Sequence, residues 1–154
     1  MKTHSKPICP NRIRGFSLVE SLVALVVMSI GMMGIAGLYV ESLRAGKTAI
    51  YRTQAVNLAS DMADRIRANA TALVAYAGAP ANNNCVAALV NCTPAQMAAH
   101  DVLLWQQDVV NMMPAGVGNV QFNGATAPPT YTITVTWTEV SEPNPINYAL
   151  TVQI

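Results

Sequence analysis

The stretch GFSLVESLVALVVMSIGMMGIAGLYV, Gly15 to Val40, governs how the rest of the chain is read. From Leu22 to Val40 it carries no charge, and Ser29 is its one serine or threonine. As a helix rising about 1.5 Å per residue, those residues span roughly 28 Å, close to the hydrocarbon thickness of a bilayer. The preceding residues, MKTHSKPICPNRIR, hold Lys2, Lys6, Arg12 and Arg14 and no acid, while Pro7 and Pro10 oppose a continuous helix. Cations ahead of an apolar run keep the N-terminus cytoplasmic and send the remainder across. Two other readings compete. A secretory signal peptide also starts basic, and Ala36-Gly37 offers a small-residue site, but its apolar core is shorter than this one. A helix buried in a soluble core rarely runs this far without a charge. Glu20 is the odd residue. An ionised carboxylate so near hydrocarbon is either hydrated at the headgroups or met by a positive group of another chain.

Working outward, the chain has 154 residues, enough for one modest domain beside the apolar segment. Charged residues make up 11%, against about 25% in an ordinary soluble protein, and apolar types 52%, which excludes disorder over the whole length. A net charge of +1 gives no case for nucleic-acid binding by bulk charge. Two histidines and three cysteines leave little for a metal cluster. All nine Lys and Arg residues lie at or before Arg67, whereas Asp101, Asp108, Glu139 and Glu142 lie beyond it. The two parts of the chain are thus built for different surroundings.

Beyond Val40, Ala45, Ala49, Ala55, Ala59, Met62, Ile66, Ala70 and Leu73 recur at helical spacing, with polar residues between them. The spacing predicts one helix from Phe16 to about Ala75, roughly 90 Å long, abnormal in a compact domain and normal in a filament subunit. Gly78-Ala79-Pro80 and Asn82-Asn83-Asn84 break it. Thr93-Pro94-Ala95-Gln96 reads as an N-cap, a proline at the first helical position and a capping-box glutamine, opening a helix to about Met113. Its apolar stripe is Ala98, Val102, Trp105, Val109 and Met112/Met113, with Trp105 as a core anchor. His100 falls off that stripe and is expected exposed, and Asp101 and Asp108 read as its solvated face. Pro114 to Gly118 turns the chain, and Val120 to Phe122 is a candidate short strand. TYTITVTWT, Thr130 to Thr138, alternates with Tyr131, Ile133, Val135 and Trp137 on one face, and Tyr148 to Ile154 repeats the pattern. An antiparallel sheet packed on the long helix is the economical outcome. No phosphate loop, H-E-x-x-H or G-x-S-x-G occurs, so no catalytic residue, metal ligand or cofactor is assigned.

The junction Gly15-Phe16-Ser17-Leu18-Val19-Glu20, behind a short basic leader and ahead of the apolar run, resembles the type IV prepilin signature. In that family a membrane aspartic peptidase cuts after the glycine and N-methylates the new terminal residue. The resemblance implies that Gly15 ends the leader, that Phe16 becomes the methylated N-terminus, and that Glu20, the fifth mature residue, sets subunit register in assembly. It implies an α+β, type IV pilin-like fold. The implied division is 1–15 leader peptide, 16–40 transmembrane and filament-core helix, 41–75 amphipathic continuation, and 76–154 periplasmic globular domain. With Cys9 removed in the leader, the mature chain keeps Cys85 and Cys92, the number one disulfide needs in an oxidising compartment. Closing that loop is worth about 2.5 kcal/mol by chain entropy.

The downstream chain resembles one branch, the minor pilins called PilV or type IV pilus modification proteins. The residues are Cys92-Thr93-Pro94-Ala95, Asp101, Trp105, Met113-Pro114-Ala115-Gly116-Val117-Gly118 and Tyr131 to Trp137. Gly37 stands where many major pilins carry proline, which argues against the main filament subunit. Met113-Pro114-Ala115-Gly116 departs from a Leu-Pro-Gly-Gly form common in the branch. The implied role is a non-enzymatic subunit that helps initiate the pilus and supports twitching motility and adhesion. The implied partners are the prepilin peptidase/methyltransferase, other minor pilins, the major pilin and the inner membrane. A minor pseudopilin of type II secretion shares the leader and architecture. A DNA-uptake pilin is disfavoured: residues 16–154 hold five basic against eight acidic side chains, a charge of −3, with no cation beyond Arg67. A membrane-anchored enzyme would need titratable groups that do not cluster in the sequence.

Overall fold

A computed structural model describes residues 15–86, 90–140 and 142–154. The basic leader with Cys9, up to Arg14, lies outside the described residues. Helix α1 runs Leu18–Ala68, a 3₁₀ segment follows at Ala70–Ala77, and α2 spans Pro94–Met112. Strands β1 (Val117–Asn123), β2 (Thr130–Trp137) and β3 (Ile146–Gln153) complete the chain. The architecture is an α+β, type IV pilin-like fold: long N-terminal helix, further helix, three-stranded antiparallel sheet. The chain divides into two compact units, up to Arg44 and from Ala45 onward.

In the first unit every described residue is exposed, the large apolar ones included. The second unit holds the core. Its share of α1 buries Ala55, Leu58, Ala59, Met62, Ala63 and Ile66, a three-and-four spacing that keeps one helix face inward. That face meets Val102, Trp105 and Val109 of α2 and Tyr131, Ile133, Val135 and Trp137 of β2 in one cluster. The Trp105 indole N–H donates to the Leu58 carbonyl at 2.8 Å, so its one polar atom is satisfied at full burial.

Helix α2 starts as its sequence dictates. Thr93 Oγ1 accepts from the Gln96 N–H, Gln96 Oε1 accepts from the Thr93 N–H, and Pro94 sits where no intrahelical donor is needed. The strands are a meander in the order β1-β2-β3, with Val120 opposite Ile133 and Ile133 opposite Leu150. Alternation puts Thr130, Thr132, Thr134 and Thr136 on the outer face, beside Asn119, Gln121 and Thr151. Phe122 and Tyr131, directly opposite, bring their rings to 5.0 Å between centroids.

Three expectations change. The helix expected to reach Ala75 ends as α at Ala68 and tightens into the 3₁₀ segment, where Leu73 takes φ 47°. The reversal lets Tyr131 donate to the Leu73 carbonyl and Tyr76 to the Arg65 carbonyl, each at 3.0 Å. His100, expected exposed, is buried at 5% exposure. Residues 81–83 run alongside: the Ala81 N–H donates to the Ala99 carbonyl and Asn83 Nδ2 to the Gln96 carbonyl. Strand β1 is longer than the three residues expected, because pairing with β2 carries Gly118, Asn119 and Asn123 into the ladder despite their weak strand preference.

Candidate functional site

Gly15, Phe16 and Ser17 precede α1 in non-helical conformation, and Leu18 begins the helix. Glu20 lies in its first turn, where the unpaired amides and the helix dipole favour a negative charge. Its side chain is exposed, and no cation of the described residues pairs with it. Phe16 is 80% exposed, Leu18 82% and Leu22 59%, and the exposed apolar surface continues to Val40. A continuous apolar surface of this extent is far larger than soluble monomers carry. The helix is long and apolar enough to cross a membrane. Ser29 turns its hydroxyl back onto the Leu25 carbonyl at 2.7 Å, which satisfies it without water. A side chain added at Gly31, Gly34 or Gly37 would meet open space, so these glycines serve no packing within this chain. They leave room for another helix to approach closely.

The second unit's polar groups do structural work. Arg65 is the hub. Its Nε donates to Asp61 Oδ2 at 2.9 Å, while its terminal nitrogens lie 3.7 Å from Asp101 Oδ1 and 3.9 Å from Asp108 Oδ2. Only the first is a hydrogen bond; the others are longer-range attraction. The one hydroxyl proton of Tyr76 is shared between the Arg65 carbonyl and Asp101 Oδ2, each 3.0 Å away, and burial pushes its phenol far above the usual range. Burial raises Tyr131 as well. The expectation of a solvated face is therefore corrected for Asp101, whose side chain is 17% exposed and accepts from Tyr76, while Asp108 stays half-exposed beside Arg65. The Asp61–Arg65 pair is local to α1 at i,i+4 spacing, but nothing local marks α2 as the third party.

Cys85 and Cys92 are joined by a disulfide, with Cα atoms 5.7 Å apart. The segment is tied to the rest of the unit at its flanks, where Asn69 Nδ2 donates to the Pro94 carbonyl at 2.8 Å. Glu139, which the sequence left without a role, links two elements: it accepts from Thr48 Oγ1 at 2.7 Å and from the Trp137 indole at 2.9 Å. Among the described residues no group of three His, Cys, Asp or Glu side chains could hold a metal ion. The groove along α2, about 430 Å³, is lined by Leu103, Gln106, Gln107, Val110 and Asn111, none of them titratable. The first unit is thus an exposed apolar helix, and the second is an α+β unit that carries the Cys85–Cys92 disulfide.

A long N-terminal helix followed by a second helix and a three-stranded antiparallel sheet is a type IV pilin-like fold. Comparison of the sequence with family models agrees. Residues 10–36 match the prokaryotic N-terminal methylation motif, and residues 37–103 match the family described as Type IV pilin Tt1218. The two matches adjoin and together support a type IV pilin subunit. The methylation motif implies processing by a prepilin peptidase and assembly with other pilins. No curated protein and no solved structure matches the chain.

Proposed function

We propose that this chain is a minor type IV pilin of the PilV branch, a subunit that helps initiate pilus assembly and so supports twitching motility and adhesion. The observation that carries the reading is Glu20 in the first turn of a helix otherwise uncharged and exposed to Val40, directly after Gly15-Phe16. Cleavage between Gly15 and Phe16 leaves the whole apolar run on the mature subunit. It also creates a terminal ammonium, which the peptidase methylates. The Glu20 carboxylate of one subunit pairs with the Phe16 ammonium of its neighbour and selects one axial register. In low dielectric the attraction is large, although desolvation offsets much of it.

In this reading residues 1–15 are the leader, 16–40 the membrane and filament-core segment, 41–75 its amphipathic continuation, and 76–154 the periplasmic headgroup. The subunit waits in the inner membrane and then joins the pilus with other minor pilins and the major pilin. Deletion of the gene in its native host, with surface pili counted and type II secretion assayed in parallel, tests the role. Loss of pili and of twitching with secretion intact is expected. Intact pili with failed secretion would assign the chain to the pseudopilins instead.

A further inference from the structure

Strand β3 is an edge of the sheet, and its free side has a definite composition. The Ile154 N–H donates to the Pro129 carbonyl, in the register that pairs Val152 with Tyr131 and Leu150 with Ile133. Antiparallel hydrogen-bonded pairs recur every second residue, so Ile146, Tyr148, Leu150 and Val152 bond to β2. Asn147, Ala149, Thr151 and Gln153 therefore turn their N–H and C=O groups outward. Among the described residues no side chain or main-chain group outside the sheet bonds to them. Natural edges are usually blunted by lysine, proline or a bulge, and the strand INYALTVQ has no lysine or proline. On the opposite edge one outward group is taken: Gln106 Nε2 of α2 donates to the Gly118 carbonyl of β1 at 3.1 Å.

We propose that β3 pairs with β3 of a second copy of this chain, antiparallel about a two-fold axis at Leu150. In that register Asn147 faces the other copy's Gln153 and Ala149 its Thr151. All four outward residues of each strand then take part in the ladder. The inner faces match equally well: Leu150 meets its own counterpart, Tyr148 meets Val152, and Ile146 meets Ile154. Ile146, Tyr148, Leu150 and Ile154 are only partly buried, although they border the core. A neighbouring strand with apolar residues at the same positions covers their open sides. No charge lies in the strand, so the axis brings no like charges together. The contact is isologous, and a two-fold operation closes at two copies. The pairing draws only on residues of the second unit and stands apart from the filament reading.

Cysteine cross-linking of the full chain in detergent, in a Cys9→Ser background, tests it. Ala149→Cys protein is mixed with Thr151→Cys protein. Hydrogen-bonded partners have Cα atoms about 5.5 Å apart, within disulfide range, whereas two Ala149→Cys copies lie beyond it. The expected result is a heterodimeric disulfide from the mixture and none from either protein alone. A mixture that cross-links no faster than Ala149→Cys with Thr132→Cys, a β2 position on the same face, would overturn the proposal. Ala149→Pro removes an outward donor and leaves the β2 ladder intact. It takes two donors from each dimer and is expected to raise the dimer dissociation constant about tenfold or more. A chain that stays monomeric, or a dimer that Ala149→Pro leaves unchanged, contradicts it.

Discussion

Gly118 is the position where a single methyl group tests the packing of the headgroup most sharply. It lies on β1 opposite Val135, against the six-membered ring of Trp105. A Cβ placed there would stand 2.7 Å from Trp105 Cη2 and closer still to Cζ3. Trp105 is fully buried and its indole is committed to the Leu58 carbonyl, so the ring cannot swing aside freely. Overpacking of this kind costs about 1–3 kcal/mol, and losing the indole bond adds about 1 kcal/mol. Gly118→Ala is therefore expected to destabilise the headgroup by about 2–4 kcal/mol. For a unit of about 110 residues that lowers Tm by roughly 8–16 °C. The assay is urea unfolding followed by tryptophan fluorescence, repeated in a Trp105→Phe background, where Trp137 remains as the reporter. Phenylalanine lacks the outer ring atoms that the methyl would strike. The cost of Gly118→Ala should fall to less than half in that background, a coupling between the two sites. An unchanged midpoint, or the same loss in both backgrounds, would refute the reasoning.

Other outcomes follow from the same structure. Ala115 holds φ 50°, in the left-handed region where a side chain is disfavoured, so Ala115→Gly should stabilise the chain by about 1 kcal/mol in the same unfolding assay. Tyr76 stays neutral in the folded state while its unfolded counterpart ionises above pH 10, the raised-pKa case in which stability is complete below that pH and lost above it. Stability should fall by about 1.4 kcal/mol per pH unit from this group alone. Tyr76→Phe should flatten that alkaline limb while costing about 1–2 kcal/mol at pH 7, where Asp101 and the Arg65 carbonyl lose a donor. Glu20→Gln should leave the headgroup's unfolding unchanged and abolish recovery of the subunit in sheared pili; wild-type yield would sink the register role.

What the sequence makes legible is what short-range rules govern. The capping box at Thr93 to Gln96 states where α2 begins, and the structure forms both of its bonds. The alternation of Tyr131, Ile133, Val135 and Trp137 states which face of β2 is inward, and all four are buried. Trp105 was legible as an anchor because a large apolar ring at stripe spacing has few other uses. Features that depend on distant partners were not legible. Arg65 meets Asp101 and Asp108 only because two helices pack. His100 is buried off the main stripe of α2, beside residues 81–83, and β1 owes its Gly118, Asn119 and Asn123 positions to the neighbouring strand. The end of α1 escaped for a similar reason. Apolar spacing runs on through Ala70 and Leu73, while the tyrosines that bend the segment come from inside it and from β2. For the assembly segment the legibility is reversed. Gly15, Phe16 and Glu20 are conspicuous in the sequence, while the described residues give them no partner.

Intact mass and N-terminal peptide mapping of the protein purified from membranes test the central claim most directly. The account predicts a chain that begins at N-methylated Phe16 and carries the Cys85–Cys92 bridge. A chain that begins at Met1 would contradict it and leave a plain membrane anchor. A chain that begins after Ala36 would contradict it as a secreted domain, and the role assigned to Glu20 would fall with it.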